Sequence, residues 1–302
     1  MKFPSSATLR KIKRSAALTV LAAFLAASPC LALDAAGSHP LLIPSEYGKV
    51  IYRKRGNPDE HLYIICQCHR NPETGANGPN TVAVQTEIYR IGEWLVRNEK
   101  VNLLLPEGYF GRSGGQRQGV QPAAFTPEEG FTPHSLDDAT LHAVLNDTKV
   151  FTNADKLLKE SYHLKLQQVE DEKLYFSVLD VLLRSGKAGG PDPADLRLLD
   201  YLQQKRSAAL LQAIPDAIGR EVAEGGTTGK KAIFTIGMAH VNEMIRFLKQ
   251  GKITIDSPLS QKEKGLDDLK LAKENYTVTV ILPRSLAEDP EAMRLAHLAD
   301  LQ

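Results

Sequence analysis

The chain has 302 residues, of which 42% are apolar, and it carries 37 basic and 36 acidic side chains. This apolar content is enough to bury a substantial core in one large domain or two small ones. Without the basic leader predicted at residues 1–32 the net charge is about −4, which argues against a general binder of nucleic acids or anionic membranes, because such a binder needs a basic patch.

Residues 1–32 are predicted to be a secretory signal peptide. Five basic residues precede a short apolar stretch at residues 15–27, which is too short to span a membrane and is followed by small residues. Cleavage after Ala32 would leave 32 basic against 36 acidic residues, a net charge of about −4. Lipidation at Cys30 is the alternative, which Pro29 beside the cleavage point disfavours. We therefore expect an exported protein, periplasmic or extracellular, whose residues 33–302 form one α/β domain.

The next segments predict a hairpin, a helix and a strand. Residues 49–54 and 61–66 flank a Gly-Asn-Pro-Asp turn and are expected to pair with each other. Asn80 is placed to cap a helix whose apolar residues recur at three- and four-residue spacing. A strand follows at residues 102–106, and apolar runs of this kind suit a buried sheet.

Residues 108–133 hold six glycines and show no periodicity, which favours a loop insert. The alternative is a lid over a binding site, in which Arg112 or Arg117 meets an anionic or carbonyl part of a substrate.

The second half of the chain alternates helical and strand patterns, which predicts a mainly parallel open sheet covered by helices. A helical insert at about residues 188–224 is expected to break near Pro215. The remaining predictions are helices at 136–145, 153–162 and 174–183, strands at 164–169, from 232 and at 276–282, and a terminal helix after Pro283.

Ionisable residues follow the apolar strands of this pattern. His69 and Glu107 each end a strand-length apolar run, and His240 closes a Gly-x-x-His segment after a third run. Glu170 and Asp171 follow the strand at 164–169 in the same way. Because ligands bind at the carboxyl ends of strands in an open parallel sheet, we expect these side chains to converge on one site.

Each of these residues also has an ordinary structural explanation. A single histidine at a strand end is more often a helix cap or a surface residue. Glu107 could face the positive end of a helix dipole, and Glu170 or Asp171 could cap the helix that follows. Cys66 and Cys68 share one strand face and are expected to be small core residues.

The four segments occur in an order that resembles the TraB/Tiki, ChaN-like and erythromycin-esterase-like superfamily, over about residues 60–250. Gly237-Met-Ala-His240 matches its Gly-x-x-His motif, whereas Cys66 stands where the first copy has glycine. In the Tiki branch the resemblance implies a metal-dependent peptidase, with His69, Glu107 and His240 around a divalent ion. The esterase branch implies water activation by His and Glu without a firmly assigned metal. The ChaN branch implies haem binding.

The sequence therefore predicts an exported hydrolase of a peptide or other small-molecule substrate. A carboxylate beside two imidazoles can act as general base, and a divalent ion held by the same residues would acidify a bound water. The alternatives are a non-catalytic haem- or ligand-binding protein, for which Tyr109 is a candidate ligand, and an exported partner-binding domain whose site has decayed, as Cys66 suggests.

Overall fold

A six-stranded sheet lies at the centre of the protein, in the order β1-β6-β2-β5-β3-β4. All neighbouring strands are parallel except β1 and β6, which confirms the predicted α/β class with a mainly parallel sheet. The strands are β1 (Gly48–Lys54), β2 (Asn57–Gln67), β3 (Leu103–Pro106), β4 (Lys165–Leu166), β5 (Lys230–Gly237) and β6 (Tyr276–Pro283).

The computed structural model describes residues 43–68, 77–111, 135–150, 152–187, 192–227, 229–255 and 268–298, all of which belong to the unit Leu41–Gln302. The signal peptide, Cys30 and His69 lie outside these ranges, as do Arg112 and Arg117 with most of the loop insert. The predictions made for them stay predictions.

Helices cover the sheet, and none of those in the described ranges is long and apolar enough to cross a membrane. Helix α1 packs against α2, α3, β2 and β6, while α5 packs against α4, α6, α7 and β5. The helices are α1 (Thr81–Glu99), α2 (Asp138–Asn146), α3 (Ala154–Tyr162), α4 (Glu172–Lys187), α5 (Pro193–Ala223), α6 (Met238–Gln250), α7 (Lys270–Lys273), α8 (Arg284–Ala287) and α9 (Pro290–Leu295).

The strand order reverses between β2 and β5, which are neighbours in the sheet. The chain leaves β2 for β3, beyond β5, and leaves β5 for β6, beyond β2. Gln67 lies opposite Gly237, and Pro106 lies opposite Thr235, so β2, β5 and β3 end at nearly the same level. Such a switch point opens a crevice outside the carboxyl ends of the strands, where ligands bind.

The predicted hairpin between residues 49–54 and 61–66 is wrong. β1 pairs with β6 instead, and β6 separates β1 from β2. All eight residues of β6 are buried, so this strand needs a partner on each edge, whereas only the first residue of β1 is buried, which suits the end of a sheet. The segment between β1 and β2 also contacts β6: the Gly56 amide donates to the Thr277 hydroxyl at 3.1 Å.

Two other elements differ from their predicted extent. β4 has only two residues, Lys165–Leu166, instead of the six of 164–169, because it pairs with β3 alone at the end of the sheet. Helix α5 continues through Pro215 without a break. Leu211, Ile214 and Ile218 around that proline are fully buried, and this packing offsets the one backbone hydrogen bond that proline removes.

A buried histidine lies in the middle of the sheet, away from the carboxyl edge. His61 in β2 is 5% exposed, its Nε2 is 2.8 Å from the Thr279 hydroxyl, and its ring stacks on Tyr63 at 3.9 Å. Burial, and then the positive charges of Arg53 and Lys231, lower the pKa of His61 from 6.5 to about 3. The ring is therefore neutral in the folded protein at pH values where it is protonated in the unfolded chain.

This difference predicts a loss of stability in acid. As the pH falls from about 6.5 towards 3, only the unfolded chain takes up a proton at His61, so the free energy of unfolding should fall by up to about 1.4 kcal/mol per pH unit from this group. In His61→Gln the free energy of unfolding, measured by urea titration at each pH, should lose this part of its pH dependence in that window. His142→Gln, which changes an exposed histidine of α2, is the matched control and should leave the slope unchanged.

Candidate active site at the carboxyl edge of the sheet

Glu107 is the first residue after β3, and backbone contacts fix its position. Its amide donates to the Thr235 carbonyl oxygen at 3.0 Å, which extends the β3–β5 pairing by one residue. Its carboxylate Oε2 accepts a hydrogen bond from the Gly237 amide at 2.6 Å, at the start of α6. Gly108 then turns the chain away with a φ of +68°, a conformation that glycine adopts without strain. The side chain of Glu107 is 10% exposed and so reaches solvent.

His240 lies in the first turn of α6 and is 3% exposed. Its Nε2 is 3.0 Å from Nη1 of Arg206, and its Nδ1 is 2.8 Å from the Ser207 hydroxyl, which itself donates to the Gln203 carbonyl oxygen at 3.0 Å. Because a guanidinium only donates, Nε2 must accept, and the proton of the imidazole is on Nδ1. The contacts therefore assign a neutral His240 that donates to Ser207.

Glu170 lies beyond the short β4, and its side chain is fully buried. Its Oε2 accepts from the Gly108 amide at 3.1 Å, so the same glycine that follows Glu107 also binds Glu170. Its carbonyl oxygen accepts from the Gln168 side chain at 3.0 Å, and the Gln168 carboxamide oxygen accepts from the Gly111 amide at 2.8 Å. These contacts hold the segment after β4 against the segment after β3.

Arg206 of α5 joins these residues into one cluster. Its Nε and Nη2 donate to the two carboxylate oxygens of Glu170 at 2.8 and 2.7 Å, and Nη2 also donates to Oε1 of Glu107 at 2.9 Å. Burial of the guanidinium lowers the pKa of Arg206, but the hydrogen bonds and charges of Glu170 and Glu107 outweigh this, so the pKa is raised overall. The site therefore holds a permanent cation between two carboxylates and a neutral imidazole.

The sequence did not lead us to Arg206 or Ser207, although one signal was present. Arg206 precedes Leu210 and Ile214 at four-residue spacing, so it falls on the apolar face of α5. A charged residue on such a face is rarely buried without a partner of opposite charge. The sequence alone does not say which carboxylates provide that partner.

Asp171 is not part of the cluster. It is exposed, and its carboxylate accepts from the Leu174 amide at 3.0 Å, as a cap of α4. The ordinary structural explanation therefore holds for this residue. Cys66 is fully buried and Cys68 partly so; burial raises the pKa of both thiols, which agrees with core packing and not with reactivity.

The described residues do not fit a metal ion at this position. Nη2 of Arg206 lies within 2.9 Å of both carboxylates, and Nη1 occupies the Nε2 lone pair of His240 that a metal would use. A divalent ion would face the charge of this guanidinium at close range. Within the described ranges, no three His, Cys, Asp or Glu side chains are grouped so as to hold a metal. The metal predicted for His69, Glu107 and His240 stays a prediction, since His69 is outside those ranges.

An aromatic wall borders the cluster. Tyr175 of α4 lies over the Arg206 guanidinium, with 4.9 Å between Cζ and the ring centre. Phe110 meets Tyr175 edge-on at 5.1 Å and stacks with Phe176 at 5.9 Å, and all three rings are half-buried. Aromatic rings therefore border the buried charges on this side.

Comparison with known proteins yields no relative for this chain: no protein-family model, no curated protein and no solved structure matches it. The arguments about function accordingly depend on the geometry and on the resemblance stated from the motifs.

The buried cluster predicts a large effect of removing its cation. Arg206→Met would leave the carboxylate of Glu170 buried without its partner, so we expect a loss of about 3–5 kcal/mol in the free energy of unfolding. Arg184→Met is the matched control, because Arg184 is 62% exposed and 3.6 Å from Asp195; it should change stability by less than about 1 kcal/mol. Urea unfolding at pH 7 measures both, and equal effects of the two substitutions would contradict this account.

Proposed function

We propose that this protein is an exported hydrolase that cleaves a peptide or ester bond with a water molecule activated by Glu107. The observation that carries the proposal is the position of this carboxylate. It lies at the carboxyl edge of the sheet, after the strand next to the switch point between β2 and β5, is held by the Gly237 amide and Arg206, and still reaches solvent. A fixed carboxylate that reaches solvent can take the proton of an attacking water.

Arg206 gives this arrangement a second function. When water attacks the substrate carbonyl carbon, its proton passes to Glu107 and negative charge appears on the carbonyl oxygen. Glu107 then no longer neutralises Arg206, whose charge is left to attract the new oxyanion. Glu170 keeps its two hydrogen bonds to Arg206 throughout and holds the cation in place. When the intermediate collapses, the bond to the leaving group breaks and the leaving group takes from Glu107 the proton that came from water.

In this proposal His240 is a positioning residue. Its Nε2 accepts from Nη1 of Arg206, which fixes the rotation of the guanidinium plane. Ser207 fixes the imidazole in turn through Nδ1. The triad geometry of a serine hydrolase does not apply, because Ser207 is 1% exposed and its hydroxyl donates to a backbone carbonyl.

Glu107→Gln tests the proposal directly. The amide keeps the size of the side chain but cannot take a proton, so kcat on a panel of p-nitrophenyl esters and chromogenic peptides should fall by about two to four orders of magnitude. Asp171→Asn is the matched control, since it neutralises a carboxylate at the same sheet edge that only caps α4. It should leave kcat within about twofold.

Two further measurements separate this proposal from its rivals. Activity that survives EDTA supports the role given to Arg206, whereas loss in EDTA and recovery with a divalent ion would support the metal predicted from the resemblance. A wild-type protein that hydrolyses nothing on the panel but gives a Soret band with haemin would favour the haem-binding alternative. Full activity in Glu107→Gln would exclude the proposed base.

A further inference from the structure

We infer that Tyr175 is a further catalytic residue of this site, and that its phenol hydroxyl donates a hydrogen bond to the carbonyl oxygen of the substrate. This inference rests on the proposed function and adds a neutral hydrogen-bond donor to the cation already described.

The ring of Tyr175 lies directly beside the reacting groups. It covers the guanidinium of Arg206 at 4.9 Å, and it borders Gly108, the residue that follows Glu107. A Cβ atom built on Gly108 would be 3.5 Å from Cε2 of Tyr175 and 3.7 Å from its hydroxyl oxygen. The phenol therefore lies against the backbone of the segment that carries the proposed base.

The position of this ring is fixed from several sides. The Tyr175 amide donates to the Asp171 carbonyl oxygen at 2.9 Å in the first turn of α4, which Asp171 caps. Phe110 and Phe176 contact the ring edge-on, with centres 5.1 and 5.5 Å away. Edge-to-face packing of this kind restrains the ring, so the hydroxyl does not need to be ordered when a substrate binds.

The hydroxyl itself has no hydrogen-bond partner among the described residues, although Tyr175 is half-buried beside charged groups. Burial raises the pKa of this phenol, and the charges of Glu107 and Glu170 raise it further against the opposing effect of Arg206. The group thus remains protonated, and able to donate, throughout the neutral range. A protonated donor that has no acceptor within the described ranges, and lies beside the segment of a general base, is available to a substrate oxygen.

During the reaction the phenol makes no covalent bond and keeps its proton. Water forms the new bond to the carbonyl carbon, Glu107 accepts the proton of that water, and the electron pair of the C=O double bond moves onto oxygen. The Tyr175 hydroxyl and Arg206 then face the same developing negative charge. The contribution is larger in the transition state than in the bound substrate, so it should appear in kcat more than in KM.

Tyr175→Phe, with Tyr52→Phe as the matched control, tests the inference. Tyr52 of β1 is also a half-buried tyrosine whose pKa is raised by burial, but it lies at the opposite end of the sheet from β3 and β4. On the best p-nitrophenyl ester of the panel, Tyr175→Phe should lower kcat by about 10²–10³-fold and change KM by less than about threefold. Tyr52→Phe should alter neither. Both proteins should keep the wild-type melting temperature within a few degrees, since both keep the ring.

The outcomes separate the inference from the function beneath it. If Glu107→Gln abolishes hydrolysis while Tyr175→Phe keeps the wild-type kcat, Tyr175 is only part of the aromatic wall and the hydrolase stands. If Tyr175→Phe raises KM and leaves kcat unchanged, the hydroxyl contributes to substrate binding and not specifically to the transition state, and the inference is wrong. If the wild-type protein hydrolyses no member of the panel, the proposed function and this inference fall together.

Discussion

The buried charge of Arg206 is the constraint on which the site depends. Arg206 donates four hydrogen bonds to Glu107, Glu170 and His240. Glu107 and Glu170 lie in the segments after β3 and β4, His240 lies in α6, and Arg206 lies in α5. A guanidinium that is 6% exposed is tolerated only when its hydrogen-bond donors are satisfied and its charge is balanced. The four elements are therefore held together at the carboxyl edge by electrostatics as well as by the apolar core beneath.

This arrangement also links stability to the proposed chemistry. The two carboxylates differ in their surroundings. Glu170 is fully buried and accepts hydrogen bonds from Nε and Nη2 of Arg206. Glu107 accepts one hydrogen bond from Arg206 and reaches solvent. Glu170 is thus suited to hold the cation, and Glu107 is suited to exchange a proton with water. Tyr175 closes the open face of the guanidinium with an aromatic ring, which limits the access of water to the charge.

Several features of the fold could be predicted because they depend on local patterns. The apolar runs before Glu107 and His240 each form a buried strand, and parallel pairing brings their ends to one level. The hairpin prediction was wrong because β1 and β2 both pair with β6, more than 200 residues away in the chain, and no local pattern encodes that pairing. The predicted break at Pro215 was wrong because helix propensity does not include tertiary packing, and the packing of α5 outweighs one lost hydrogen bond.

By itself the sequence determined the α/β class and the placement of Glu107, Glu170 and His240 at strand ends, since apolar length and periodicity act over a few residues. Only the tertiary structure decided what those residues do together. In the structure Glu170 binds Arg206, whereas its neighbour Asp171 is exposed and caps a helix. Arg206 comes from α5, a helix in which the sequence shows no motif. The physical reason is that the partners of a buried charge are set by proximity in space, here across 36 and 99 residues of chain, which local sequence patterns do not encode.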